Sequence, residues 1–243
     1  MARRLRNIRL VTFDLFDTLY TPRESVEKTY TAPLLRHGIK VKLQSVGEGL
    51  SLAMKYMCLR YPNYGYGVMS SRDWWRQVID RTWAHIGVPP TYLGNNHLLA
   101  ERESLIDYFN TSEGYRMYQE VPRVLKYLTR RGIKIGVVSN MDEAGERVLY
   151  HLGIRPYFDF VLQSVTAGIQ KPDPRIFDMA LSAVNVPAFD ALHVGDNEVM
   201  DYDAARNAGM EARIVCRTDD AAELAAKQPE KYMTSLDALL KIL

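Results

Sequence analysis

Side chains that could carry out nucleophilic or metal-dependent chemistry occur at four separated places in the sequence. A carboxylate can attack an electrophile or bind a hard cation, a hydroxyl can donate a hydrogen bond, and an ammonium group can neutralise negative charge. Taken singly, each of these residues is more typical of a helix cap, a turn or a solvated charge. The residues are Asp14, Ser139 with Asn140, Lys171, and Asp196 with Asp201.

Asp14 follows a segment that is typical of a buried strand. Residues 8–13 are mostly β-branched or aromatic, and the sequence Leu-Phe-Asp-Thr after Asp14 predicts a tight turn. Ligands of open α/β sheets bind at the carboxyl ends of the strands, so a carboxylate here could be a nucleophile or a metal ligand. An aspartate that only caps the turn is the alternative that this segment leaves open.

The elements that must position these residues alternate between helix and strand from residue 121 onwards. Apolar runs of strand length are separated by segments with helical periodicity, and glycine or proline marks several of their ends. Such alternation predicts an α/β fold with a parallel, doubly wound, Rossmann-like sheet. Strands are predicted at 8–13, 133–138, 158–162, 191–194 and 212–216.

Residues 21–113 differ from the rest of the chain because their apolar residues recur with helical spacing. They predict an all-helical insert between the first two strands, with Pro33 kinking or breaking its first helix. The predicted domains are a sheet domain, 1–20 and 114–243, and an insert domain, 21–113. Helices of the insert are predicted at 26–37, 43–60, from 71 onwards and at 98–108.

Composition and charge argue against several classes of protein. The 243 residues are 47% hydrophobic and 25% charged, as in an ordinary globular protein, and the formal net charge is only +2. Basic residues are spread along the chain, which argues against a nucleic-acid or membrane partner. Cys58 and Cys216 lack the spacing of a metal site or a disulfide framework, which indicates a reducing compartment.

The same features predict a cytoplasmic location. No apolar run approaches the roughly 20 residues that a membrane-spanning helix needs, and no apolar segment follows the start as in a secretory signal. Residues 1–9 are rich in arginine and free of acidic residues. A mitochondrial transit peptide is therefore the alternative to a solvated basic terminus.

Together and in this order, the four places resemble the four motifs of the haloacid dehalogenase superfamily of aspartate-nucleophile hydrolases. The matching segments are 13–19, 137–140, 171–174 and 193–201. The resemblance implies a haloacid dehalogenase core sheet, with the insert as the helical cap that subfamily I members carry at this position. Residues 61–65 and the Trp74-Trp75 pair further resemble one eukaryotic group of this family.

The resemblance also implies roles for individual residues in an enzyme. Asp14 would attack phosphorus and form an aspartyl-phosphate. Ser139 would donate a hydrogen bond to the phosphoryl group, and Lys171 would neutralise its charge. Mg²⁺ would be the cofactor, because this hard cation prefers oxygen ligands. Its protein ligands would be Asp14, the backbone carbonyl of Phe16, Asp196 and Asp201, the last either directly or by orienting a metal-bound water.

Phe16 departs from the family pattern. Phosphatases of this superfamily carry a second aspartate two residues after the nucleophile, where it protonates the leaving oxygen and then activates water. A phenyl ring cannot transfer a proton, and loss of general acid–base catalysis costs about 10²–10⁴-fold in rate. Asp17 is the candidate replacement, although it could instead satisfy amides of the turn together with Thr18.

Three hypotheses follow for the function. The first is a Mg²⁺-dependent phosphatase that acts on a small phosphorylated metabolite, with Asn140, Tyr64 and Tyr66 as the substrate contacts. The second is a 2-haloacid dehalogenase, because halide departs unprotonated and dehalogenases also lack the second aspartate. The acidic segment 195–201 opposes it, since dehalogenases need no cation. The third is a catalytically weakened protein whose aromatic insert binds a protein partner.

Overall fold

The computed structural model describes residue 5 and residues 7–243, so part of the arginine-rich segment 1–9 lies outside the described residues. The strands are β1 (Leu10–Phe13), β2 (Tyr20–Pro22), β3 (Tyr115–Met117), β4 (Lys134–Ser139), β5 (Phe160–Gln163), β6 (Ala191–Gly195), β7 (Glu211–Val215) and β8 (Tyr232–Met233). Six of them form one sheet in the order β5-β4-β1-β6-β7-β8, with parallel pairing throughout. The predicted α/β fold is therefore confirmed.

Strand β1 lies in the sheet between β4 and β6, and all four of its residues are buried. Parallel pairing places Phe13 beside Val137 of β4 and Val194 of β6. Since these strands run in the same direction, the residues at and after their carboxyl ends lie at one edge of the sheet. The sheet thereby brings Asp14 and Ser139 to that edge.

Helices of the predicted insert cover most of residues 22–116. They are α1 (Val26–Arg36), α2 (Leu43–Arg60), α3 (Pro62–Gly65), α4 (Ser71–His85), α5 (Pro90–Leu93) and α6 (Asn96–Tyr108). Of the predicted kink or break at Pro33, a break is wrong, because α1 continues through this residue. Tyr30 and Leu34, on either side, are buried in the same apolar cluster, and this packing outweighs the lost backbone hydrogen bond.

The remaining helices lie after β3, in the part of the chain that supplies strands β4 to β8. They are α7 (Val121–Arg130), α8 (Ala144–His151), α9 (Ser164–Ala167), α10 (Arg175–Val184), α11 (Ala204–Asn207), α12 (Ala221–Lys227) and α13 (Leu239–Ile242). Before α11, residues Glu198–Asp203 form a π-helical segment, a feature that is frequent at functional sites. Short 3₁₀ turns occupy Arg155–Tyr157, Ala188–Asp190 and Leu236–Ala238.

The described chain forms two compact units. The sheet unit comprises the described residues up to Thr21, Met117–Met141 and Leu149–Leu243. The helical unit comprises Pro22–Arg116 and Asp142–Val148. The insert boundaries 21 and 113 stay a prediction, and the helical unit also includes the beginning of α8. One reason is that the Asp142 carboxylate accepts a hydrogen bond from the Trp75 indole at 2.7 Å.

Within the helical unit, an ion-pair network joins α4 to α6. The Glu103 carboxylate accepts hydrogen bonds from Arg76 Nε at 2.8 Å and Nη2 at 2.9 Å, and Arg72 Nη2 lies 2.9 Å from it. The hydrogen bonds from Arg76 lower the pKa of Glu103 to about 2. No helix in the described part of the chain is both long and apolar enough to cross a membrane.

Replacing Glu103 with glutamine should destabilise the helical unit. We expect its free energy of unfolding at neutral pH to fall by about 1 kcal/mol, because each partly exposed ion pair contributes roughly 0.2–1 kcal/mol. The folded-state pKa lies below the ordinary value of 4.5. The stabilisation is therefore complete above about pH 4.5 and is lost as the pH falls towards about 2.

Urea unfolding followed by tryptophan fluorescence measures this effect, since all three tryptophans, Trp74, Trp75 and Trp83, lie in the helical unit. The difference between wild type and Glu103→Gln should shrink between neutral pH and about pH 3. Glu113→Gln is the matched control, because Glu113 is exposed in the same unit and is not part of this network. A Glu103 effect that equals the control, or does not change with pH, would contradict the prediction.

Candidate active site

Lys171 is the centre of the polar cluster at the carboxyl edge of the sheet. Its side chain is only 2% exposed, and its Nζ lies 2.6 Å from Asp14 Oδ1 and 2.6 Å from Asp201 Oδ1. The third Nζ hydrogen bond is donated to the Val138 carbonyl at 3.0 Å. Burial alone favours the neutral amine, but the two carboxylates raise the pKa of Lys171 above its ordinary value. The lysine is therefore held as a cation between two acids.

Asn140 fixes the backbone from which this lysine projects. Its Oδ1 accepts a hydrogen bond from the Lys171 N–H at 2.7 Å, and its Nδ2 donates to the Lys171 carbonyl at 2.8 Å. This pairing holds the residues after β4 against the segment that precedes α10. The amide of Asn140 thus positions Lys171, while the substrate contact expected from the sequence stays a prediction.

Asp201 accepts hydrogen bonds on both of its carboxylate oxygens. Its Oδ1 accepts from Lys171 and from His193 Nε2, the latter at 3.0 Å, and its Oδ2 accepts from the Asn197 N–H at 3.0 Å. Although burial opposes ionisation, Lys171 and His193 lower the pKa of Asp201 well below its usual range. Gly195 makes room for this carboxyl group, because a Cβ there would lie 2.1 Å from Asp201 Cγ.

His193 and Thr12 form a buried pair behind Asp201 that was not among the residues predicted for the site. Thr12 Oγ1 lies 2.8 Å from His193 Nδ1, and both side chains are completely buried. Burial lowers the pKa of His193, so the ring is neutral at neutral pH. The threonine hydroxyl then donates to Nδ1, and Nε2–H donates to Asp201. The signal that could have shown this pair is a polar residue inside each of two apolar strands.

Three carboxylates form a candidate metal site at the same edge. Oxygen atoms of Asp14, Asp196 and Asp201 lie within 4.8 Å of one another. Asp196 is the exposed member of this group. Partial desolvation of its carboxyl group, together with the charges of Asp14, Asp201 and Asp17, raises the pKa of Asp196 to about 7. A divalent cation would relieve this accumulation of negative charge, and an all-oxygen donor set suits a hard cation. The residues present therefore fit a metal ion of this class.

The turn after Asp14 determines where Asp17 lies. The Asp14 N–H donates to the Val194 carbonyl at 2.9 Å, and the Leu15 carbonyl accepts from the Leu19 N–H at 2.9 Å. Asp17 has a φ of 52°, in the left-handed region, and its N–H donates to the Tyr20 carbonyl at 2.8 Å. Its charge contributes to the raised pKa of Asp196.

The structure bears on the alternative in which Asp17 and Thr18 cap the turn only at Thr18, whose Oγ1 is buried without a hydrogen-bond partner among the described residues. The role of Asp17 stays a prediction. Phe16 is 40% exposed. The predicted metal contact of its carbonyl stays a prediction.

The two tyrosines predicted as substrate contacts lie in the helical unit and differ in environment. Tyr64 packs on the indoles of Trp74 and Trp75, with ring centroids at 5.2 and 6.0 Å. Tyr66 is 56% exposed. Tyr64 therefore belongs at least partly to the aromatic packing of its own unit, and a role in substrate binding stays a prediction for both residues.

Comparisons with known proteins agree with this geometry. The model of the family described as haloacid dehalogenase-like hydrolase matches residues 8–209, which include Asp14, Lys171, Asp196 and Asp201. The chain belongs to this family. It is also similar to haloacid dehalogenase-like hydrolase domain-containing protein 3 of Bos taurus, with 34% identity over 246 residues that cover 100% of this chain and 96% of the bovine protein. The predicted likeness to this eukaryotic group is therefore confirmed.

Two further matches bear on fold and chemistry. Glyceraldehyde 3-phosphate phosphatase of Pyrococcus abyssi is 29% identical over 211 residues, covering 84% of this chain and 79% of that protein. The crystal structure of 2-haloacid dehalogenase from Pseudomonas syringae pv. Tomato DC3000 superposes with a TM-score of 0.65 and 25% identity, covering 97% of both chains. Proteins similar to this chain are therefore named for both of the reactions that the sequence left open.

Removing the Lys171 charge should destabilise the sheet unit strongly. Lys171→Met leaves Asp14 and Asp201 buried without their cation, and breaking a buried ion pair costs about 3–5 kcal/mol. The double variant Lys171→Met/Asp201→Asn should recover part of this loss, because one uncompensated charge is removed. The measurement is chemical unfolding followed by circular dichroism, with a chelator present.

Lys134→Met is the matched control for this experiment. Lys134 Nζ lies 2.7 Å from Asp159 at an exposed position, with the lysine side chain 55% exposed. Its loss should cost no more than about 1 kcal/mol. Equal effects of the two single substitutions, or a double variant less stable than Lys171→Met, would show that Lys171 is not compensating buried charge.

Proposed function

We propose that this protein is a Mg²⁺-dependent phosphatase that hydrolyses a small phosphorylated metabolite through an aspartyl-phosphate on Asp14. The observation that carries the proposal is the position of Asp14, which is bound by the buried Lys171 at 2.6 Å and shares a carboxylate cluster with Asp196 and Asp201. The likeness to an archaeal protein named as a phosphatase supports this reaction class.

Asp14, Asp196, Asp201 and the Phe16 carbonyl would hold the Mg²⁺, which would supply positive charge to shield the nucleophile from the phosphoryl group and to stabilise the transition state. Both Asp201 oxygens already accept hydrogen bonds from the protein. These hydrogen bonds support a role for Asp201 in orienting the groups around the site. Its negative charge would in addition attract the cation.

In the first step, an Asp14 oxygen bonds to phosphorus as the bond from phosphorus to the leaving oxygen breaks. Lys171 neutralises the charge of Asp14 and of the phosphoryl group, and the Ser139 hydroxyl donates to a phosphoryl oxygen. Asp17 gives its proton to the leaving oxygen. In the second step Asp17 takes a proton from water, whose oxygen attacks phosphorus and releases Asp14.

Hydrolysis of a carbon–halogen bond is the second candidate. It is favoured by Phe16, which stands where an acid would otherwise be, and by the TM-score of 0.65 with a 2-haloacid dehalogenase. Halide needs no proton, so this reaction would not use Asp17. The raised pKa of Asp196 opposes it, because the acidic cluster is suited to a cation.

The nucleophile and the cation are tested with p-nitrophenyl phosphate, an activated aryl phosphate. We expect phosphate release with Mg²⁺, none with chelator, and a loss of about 10³-fold or more in kcat for Asp14→Asn. Asp178→Asn is the control, because Asp178 is exposed on α10. Equal activity of wild type and Asp14→Asn, or halide release from a 2-haloalkanoic acid in chelator, would refute the proposal.

The acid role of Asp17 is tested by changing the leaving group. Asp17→Asn should lower kcat/KM for an alkyl phosphate by about 10²–10⁴-fold, because an alkoxide needs a proton to depart. For p-nitrophenyl phosphate the loss should be much smaller, since its leaving oxygen is stable as an anion. Losses of the same size for both substrates would show that Asp17 does not protonate the leaving group.

A further inference from the structure

Arg217, two residues after the end of β7, binds the turn that follows the nucleophile. Its Nη2 donates a hydrogen bond to the Thr18 carbonyl at 3.0 Å, across 199 positions of sequence. Its Nη1 lies 2.7 Å from the Glu120 carboxylate, and its guanidinium carbon lies 3.7 Å from the centroid of the Tyr118 ring. The side chain is only 17% exposed, so these three contacts hold it in one orientation.

The segment that carries Tyr118 and Glu120 also binds the turn directly. The Tyr118 N–H donates to the Leu19 carbonyl at 3.1 Å. Burial alone would raise the pKa of Glu120, but the hydrogen bond from Arg217 outweighs burial and the pKa is lowered. The ion pair is therefore maintained at neutral pH, and Arg217 links the turn to a second segment of the sheet unit.

Contacts from other segments support a turn whose own conformation is costly. Asp17 adopts a left-handed conformation, which costs more for a residue with a Cβ than for glycine. The Thr18 hydroxyl is buried without a hydrogen-bond partner among the described residues. Backbone hydrogen bonds of the turn and the Arg217 contact with the Thr18 carbonyl hold this segment in place.

We infer that Arg217 is a positioning residue that holds the turn 15–19 through the Thr18 carbonyl and thereby sets the direction of the Asp17 carboxylate. It touches none of the reacting atoms. A planar guanidinium can bind a carbonyl and a carboxylate at once while stacking on an aromatic ring, which a lysine ammonium cannot do. The effect on catalysis rests on the proposed phosphatase function, but the effect on the turn does not.

The kinetic test uses Arg217→Met and Arg217→Lys. Because a small displacement of a catalytic group can cost about 10²-fold, Arg217→Met should lower kcat for an alkyl phosphate by about 10–100-fold, with KM changed little. Arg217→Lys should recover only part of this loss. In the Asp17→Asn background, Arg217→Met should cause no further loss, because the group that it positions is already absent. Losses that multiply in the double variant would show a general structural role and overturn the inference.

The second test does not depend on activity. Hydrogen exchange of residues 15–20 should be faster in Arg217→Met than in wild type, since the Asp17, Leu19 and Tyr20 amides form the bonds of this turn. Arg131→Met is the matched control. Arg131 also lies over a tyrosine, with 5.6 Å from its guanidinium carbon to the Tyr127 centroid, and donates to the Leu243 carbonyl at 3.4 Å.

The two tests separate the inference from the proposed function. Faster exchange of residues 15–20 in Arg217→Met, without this change in Arg131→Met, supports the role of Arg217 even if the wild-type protein hydrolyses no phosphate ester. Unchanged exchange in Arg217→Met overturns the inference, whatever the activity of the wild type.

Discussion

Lys171 is buried with its ammonium group 2.6 Å from both Asp14 and Asp201, and the rest of the site depends on this arrangement. A buried ammonium is costly unless carboxylates and hydrogen bonds compensate it, and the two acids are costly without the lysine. The parallel sheet brings the acids to one edge, and Asn140 fixes the lysine backbone. Desolvation raises the pKa of Asp14 despite its contact with Lys171, and desolvation with the charges of the neighbouring acids raises the pKa of Asp196 to about 7. The cluster thus holds one buried cation among acids whose excess negative charge a divalent cation can neutralise.

The turn after Asp14 differs from the family pattern in the position of its acidic residue. Phe16 occupies the position of the usual acid, and the carboxylate appears one residue later, on Asp17, in a left-handed conformation. Interactions from distant parts of the chain support this geometry, including the hydrogen bond of Arg217 to the Thr18 carbonyl. The chain therefore carries the Asp17 carboxylate in the turn after Asp14, although its local sequence differs from that of phosphatases in the family.

Much of this organisation is predictable from the sequence, because long periodic segments specify α2 and the strands near Asp14 and Asp196. Strands of two or three residues, such as β8, carry no periodicity and are missed. The π-helical segment Glu198–Asp203 is missed as well, since it depends on the burial of Asp201. The Thr12–His193 pair and the Arg217 contact join residues that are 181 and 199 positions apart. Such contacts depend on the folded sheet and leave only weak signals in the sequence.

Mass spectrometry of protein quenched in acid during turnover of p-nitrophenyl phosphate with Mg²⁺ tests the central claim most directly. If Asp14 is the nucleophile beside Lys171, one phosphoryl group should be found on the peptide that contains Asp14, and it should be absent from Asp14→Asn. Turnover without a phosphoryl group on Asp14, or a phosphoryl group on another residue, would contradict the account.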